Sequence, residues 1–134
     1  MRVSEIAGAL ETTADTVRYY TRIGLLTPVK SPANGYNEYG QKDVRRLRFI
    51  LSARQLGFTV ADIVQIIAVA DQGKTPCPLV RELIQQRLDE TSVRYQEMLE
   101  LRQRMETAAR KWHSKPNKAP TGTMICHLIE NWAQ

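Results

Sequence analysis

From Pro78 to Trp112 the chain runs for roughly 35 residues with no internal glycine or proline. Along it Ile84, Leu88, Thr91, Tyr95, Met98, Arg102, Met105, Ala109 and Trp112 follow alternating steps of four and three, the signature of a heptad seam. Thr91 and Arg102 are its two polar members. At about 1.5 Å per residue such a helix reaches roughly 50 Å, too long to bury its stripe inside so small a domain. The natural solution is a partner helix, parallel or antiparallel, from a second copy of the chain. The alternative is an amphipathic helix folded back on the rest of the molecule.

What precedes this run reads as a compact front half. Val3, Ile6, Ala7 and Leu10 lie at helical spacing. A second short helix begins after Thr12 or Thr13, either a good cap, and runs to Ile23 before Gly24. Two short helices joined by a few residues have the dimensions of a helix-turn-helix. Leu25 to Val29 and Tyr36 to Tyr39 then flank Asn34-Gly35, a hairpin signal, and a hairpin placed there is a wing. Helical pattern resumes from Gln41 to Leu56, closes at Gly57, and restarts behind Thr59 until about Gly73. Pro76 and Pro78 cannot continue that helix, so the boundary is placed there. The expected organisation is a winged helix-turn-helix domain over residues 1–73, a dimerisation helix over 74–112 and a C-terminal loop and short helix over 113–134. In the last segment Thr123 is expected to cap a helix from Met124 to about Trp132.

Charge is distributed unevenly over these parts. Residues 1–57 hold nine basic and five acidic side chains, net +4 of the chain's +5. A basic front half joined to a nearly neutral back half suits a polyanion-binding region followed by a part with another task; a solvated basic surface is the plainer alternative. The helix Thr16-Val17-Arg18-Tyr19-Tyr20 offers an arginine fork and tyrosine hydroxyls where a major groove would meet it. Val17 faces inward on this reading, and one of the two tyrosines serves partly as core. No stretch approaches the roughly 20 apolar residues of a membrane span, and the start lacks a basic cluster followed by an apolar run. A cytoplasmic protein without membrane partners is expected. An enzyme is not: no phosphate-cradling glycine loop or His-Glu-x-x-His is present, and both histidines lie in the tail.

Val3 to Leu10, Thr16 to Tyr20 with Ile23-Gly24-Leu25-Leu26, Asn34-Gly35-Tyr36 with Tyr39, and Ala53-Arg54-Gln55-Leu56-Gly57-Phe58 together resemble the MerR family of bacterial transcription regulators. The resemblance covers residues 1–70 motif by motif and extends to the layout of long helix and cysteine-bearing tail. It implies an all-α fold with a small β-hairpin wing: a winged helix-turn-helix followed by a long dimerisation helix, antiparallel to its mate in a homodimer. It also implies promoter DNA and RNA polymerase as partners, with an effector-bound dimer that distorts an overlong promoter spacer. Carried over by position, Arg18, Tyr19 and Tyr20 fall on the recognition helix, Tyr36 and Tyr39 on the wing, and Arg54 at a basic position facing the DNA backbone. Thr16 and Arg2 complete the candidate DNA-binding set.

The chain has two cysteines, Cys77 and Cys126, and no CxxC. Spacing alone makes no case for a structural disulfide or a zinc knuckle. In the metal-sensing branch that the chain resembles, a cysteine at the start of the dimerisation helix goes with divalent ions and meets loop cysteines of the other subunit. Cys77 falls at that first position and Cys126 resembles the last loop cysteine. The branch's further cysteine, near Trp112-His113, is missing. His113 or His127 can complete a mixed sulfur and imidazole set, and two thiolates alone suit a linear thiophilic ion. The expected effector is a thiophilic divalent metal ion of the zinc, cadmium, lead or mercury class. Three alternatives stand beside it: an electrophile or oxidant acting on a reactive thiol, cysteines that are merely small buried residues, and an architectural DNA-binding dimer whose cysteines do nothing.

Overall fold

The computed structural model describes residues 1–133 as two compact units, Met1–Arg87 and the part from Leu88 onward. The first unit begins with two short helices. In α1 (Val3–Ala9) Ile6 and Ala7 are buried; in α2 (Ala14–Arg22) Val17 and Tyr20 are. Thr13 caps α2, its hydroxyl accepting the Thr16 N–H at 3.1 Å. Between the helices Glu11 sits at φ 56°, a left-handed conformation uncommon for a side chain larger than Asn or Asp. The chain leaves α2 through Gly24 at φ 86°, which delivers Leu25 and Leu26 into the core.

The expected hairpin is present but short. Strands β1 (Val29–Lys30) and β2 (Asn37–Glu38) pair antiparallel, Val29 opposite Glu38. Its base is tied to helix α3 (Gln41–Gln55) by Asp43, which is buried. One carboxylate oxygen accepts the Thr27 N–H at 2.9 Å and the other the Gly40 N–H at 3.3 Å. A buried carboxylate needs such donors. Helix α4 (Val60–Asp71) starts with a reciprocal cap between Thr59 and Asp62.

Ile6, Val17, Leu26, Leu47, Ile50 and Ile63 are the largest fully buried side chains, so one core joins α1, α2, the segment before the wing, α3 and α4. The fifth helix also contributes to this core. Helix α5 runs from Cys77 to His113, and its Leu83 is buried in that same core with Leu79, Val80 and Ile84 packed against it. Helix α4 ends at Asp71, ahead of both prolines, and Pro78 lies in the first turn of α5, whose apolar face over three turns belongs to the first unit.

From Leu88 the seam is open. Leu88, Tyr95, Met98 and Met105 are 56%, 70%, 65% and 60% exposed. The tail also differs from expectation. Helix α6 spans only His127–Glu130, with Cys126 extended at φ −145° as its cap residue. The Glu130 carboxylate accepts the N–H groups of Ile125 and Cys126, and those bonds set the helix start three residues later than Met124.

Candidate nucleic-acid interface and effector site

Helix α2 presents Arg18 outward. Its guanidinium lies 3.1 Å from the Asp15 carboxylate one turn earlier, with both side chains mostly in solvent. An ion pair of that kind contributes little and is readily exchanged for a phosphate or base edge. Tyr19 is exposed beside it, with the Arg22 guanidinium 5.5 Å from its ring centre and Tyr20 packed edge-on at 5.2 Å. Thr16 is half-buried, its hydroxyl 2.9 Å from that of Thr13, so it serves the cap of the helix.

Tyr20 and Tyr39 require a correction. Tyr20 is 5% exposed and Tyr39 3%, so both are core residues rather than surface readers of DNA. Tyr20 follows Val17 by three positions and therefore shares its inward face. Tyr39 has a more specific task. The Thr21 hydroxyl donates to the Val17 carbonyl at 2.8 Å, and the Tyr39 hydroxyl lies 2.8 Å from the same Thr21 oxygen. Because that oxygen has spent its only proton, Tyr39 is the donor. The bond braces the end of the wing against the recognition helix.

Tyr36 remains at the surface, 60% exposed, and the Arg2 guanidinium stacks 4.9 Å from its ring centre. Arg2, Arg18 and Tyr36 line one concave space of about 570 Å³ together with Ser4 and Asn37. Two guanidiniums and several hydroxyl or amide groups converging on one hollow suit a sugar-phosphate backbone. Ser4 and Asn37 were not singled out from the sequence; no spacing marks them, since only the folded chain brings the first turn of α1 to the wing. Arg54 lies elsewhere. It donates to the Phe58 carbonyl at 2.8 Å and so closes the turn between α3 and α4, leaving the rest of its fork at the surface.

The two thiols are free and lie at the starts of two helices. Cys77 is exposed as the first residue of α5, its N–H donating to the Thr75 hydroxyl at 3.3 Å. Cys126, partly exposed, precedes α6. Next to it His127 is buried, with Nε2 3.0 Å from the Pro116 carbonyl. A carbonyl only accepts, so Nε2 donates this bond, and Nδ1 is the ring nitrogen left for another partner; ligating histidines are commonly fixed in this way. His113 is exposed at the end of α5. Among the described residues of one chain, no three His, Cys, Asp or Glu side chains gather into a metal-holding group. In the same unit Trp112 and Trp132 flank a cleft of about 510 Å³ with Glu100, Arg104 and Lys111 on its walls.

A helix-turn-helix with an adjoining wing, an arginine held loosely at its front and a long helix with an open seam define a DNA-binding transcription regulator. The family described as MerR HTH family regulatory protein matches residues 1–69, and that described as MerR, DNA binding, matches residues 44–108. The chain belongs to the MerR family of transcription regulators. The HTH-type transcriptional regulator HmrR of Rhizobium leguminosarum bv. viciae is 33% identical over 113 residues, 84% of this chain and 87% of that protein. The HTH-type transcriptional regulator ZntR of Escherichia coli is 30% identical over 130 residues, 96% of this chain and 89% of the relative. The crystal structure of the transcription regulator PbrR691 from Ralstonia metallidurans, in complex with lead(II), matches in fold with a TM-score of 0.74 at 22% identity over 98% of each chain. These relatives are transcriptional regulators and not enzymes. Among the described residues, no helix is long and apolar enough to cross a membrane.

Proposed function

We propose that this chain is a metal-responsive activator that binds promoter DNA as a homodimer in the bacterial cytoplasm. The observation that carries the effector half of this reading is the placement of two free thiols at the starts of α5 and α6. Lead(II) in the structure of PbrR691 supports it, as do heavy-metal-dependent regulators among the relatives. Two chains pair their open seams antiparallel, which removes Leu88, Tyr95, Met98 and Met105 from water. Arg2, Arg18, Tyr19 and Tyr36 bind the DNA, with Ser4 and Asn37 in the same hollow.

Cys77 of one chain and the partner's Cys126 hold the effector, with His127 Nδ1 or His113 available as a nitrogen donor. A thiophilic divalent ion supplies, when bound, a cross-link between the base of one long helix and the tail of the other chain. Ordering that tail beside α3 and α4 shifts the two winged units relative to each other. The distorted promoter complex is then favoured over the undistorted one, and RNA polymerase can use both promoter elements. Only this differential affinity does work on the equilibrium, so operator affinity itself need hardly change.

Mixed dimers test the arrangement. Cys77→Ser and Cys126→Ser homodimers are expected to bind the operator normally and to stay silent with zinc or lead. In a mixed dimer the Cys77 kept by one chain meets the Cys126 kept by the other, which restores one complete site per dimer. Metal-dependent transcription should return. If mixed dimers stay as unresponsive as either homodimer while the parent responds, the cross-subunit site is wrong. The exposed Cys77 thiol also favours a second reading, an electrophile or oxidant sensor. Response to a thiol reagent in the absence of metal selects it.

A further inference from the structure

Apolar packing attaches the first three turns of α5 to the DNA-binding unit, but packing alone leaves a helix free to slide or roll by small amounts. The last residue of that unit supplies what packing lacks. Arg87 stands at the end of the compact region, with Leu88 already in the second unit. Its Nε lies 3.2 Å from an Asp62 carboxylate oxygen, and the two side chains are 18% and 6% exposed. That same oxygen accepts the Thr59 N–H at 2.9 Å and so belongs to the cap of α4. By contrast, the pair between Arg46 and Asp71 leaves its carboxylate 57% exposed and screened by solvent.

A buried ion pair is poor evidence for stability, because desolvation offsets most of the attraction; its better-attested use is to fix one arrangement among several. Here it joins the first turn of α4 to the third turn of α5, at the point where α5 leaves the DNA-binding unit. We propose that Arg87 is a positioning residue: by gripping Asp62 it fixes the rotation of α5 about its own axis against α4. A displacement at the Cys77 end of the helix is thereby passed to the winged unit instead of being lost in helix roll. The transcriptional consequence rests on the effector reading above; the grip itself does not.

Two measurements on the full-length chain separate these. The first needs no metal. Spin labels at residues 65 and 82, both exposed, are placed in a chain carrying Cys77→Ser and Cys126→Ser and diluted with unlabelled chain. Arg87→Met should broaden the distance distribution, while Arg87→Lys, which keeps the charge, should stay narrow. Thr59→Ala, which weakens the α4 cap without touching Arg87, should stay narrow too. Should Arg87→Met fail to fold, Asp62→Asn combined with Arg87→Met removes both charges, and the new amide oxygen still accepts the Thr59 N–H. A distribution as narrow as the parent's overturns the proposal.

The second measurement uses the cysteine-intact chain with zinc and lead. Arg87→Met should keep operator affinity within about twofold, the scatter allowed for distant sites. Metal-dependent induction should fall by about fivefold or more, the scale of coupling changes from mutations between sites. Arg87→Lys should recover part of it. Parent-like induction by Arg87→Met overturns the proposal, as does loss of induction in proportion to lost folding or operator binding. If the parent itself shows no metal-dependent induction, the effector reading fails and the label distances alone decide the grip.

Discussion

A guanidinium that is solvated and loosely held is the kind a phosphate or a guanine edge can recruit, and Arg18 is in that state beside Asp15. Arg18→Ala is therefore expected to cost about 1–3 kcal/mol of operator affinity per subunit while folding and dimerisation persist. A gel-shift titration with sedimentation as control checks this, and unchanged affinity removes Arg18 from the interface. The neighbouring tyrosines show how far single residues were legible. Tyrosine carries both an apolar ring and a polar tip, so composition leaves its side undecided. Spacing decides one case: Tyr20 lies one turn after the inward Val17. It does not decide Tyr39, whose burial follows from the Thr21 hydroxyl 18 positions away in sequence. The hollow shared by Arg2, Ser4 and Asn37 was hidden for the same reason, because it exists only after the wing and α1 are brought together.

At the scale of elements, α1 to α5 were legible from caps, glycines and apolar period, since each signal acts within one turn of the residue that carries it. The extent of α6 was not. Thr123 offers a cap by type, but the Glu130 carboxylate captures the Ile125 and Cys126 amides and keeps those residues out of the helix. The core that the start of α5 joins was not legible either. Proline reports where a backbone helix stops and says nothing of which core the next apolar face will join, and Leu83 joins the first. Beyond it the seam makes its own prediction. Leu88→Glu places a carboxylate where a partner helix should exclude water, and such a charge must lose solvation there unless it is paired. Sedimentation should show monomer or unfolded chain, and a stable dimer would move the seam or its register.

For the molecule as a whole, the proposed pair of sulfur donors makes a prediction about pH. Both sulfur donors must be thiolates, so metal binding should release protons and tighten as pH rises. Calorimetry in buffers of different ionisation enthalpy counts those protons; no release, with affinity flat in pH, would remove the cysteines from the site. The effector site was the least legible part because the proposed pairing of Cys77 with another chain's Cys126 lies between two chains. A sequence specifies one chain, and among its described residues no three candidate ligands gather. Burial of His127, with one ring nitrogen bonded to the Pro116 carbonyl, was likewise invisible in the sequence, because the two residues meet only in the folded tail.

The two tryptophans carry a practical consequence. They are the only two in the chain, at positions 112 and 132, and both line the cleft at the end of α5. All five tyrosines but Tyr95 lie in the DNA-binding unit. Red-edge excitation, which spares tyrosine, therefore turns the native protein into its own optical probe of the tail. Emission colour and anisotropy follow that segment without any attached dye, while tyrosine emission belongs mainly to the part that meets DNA.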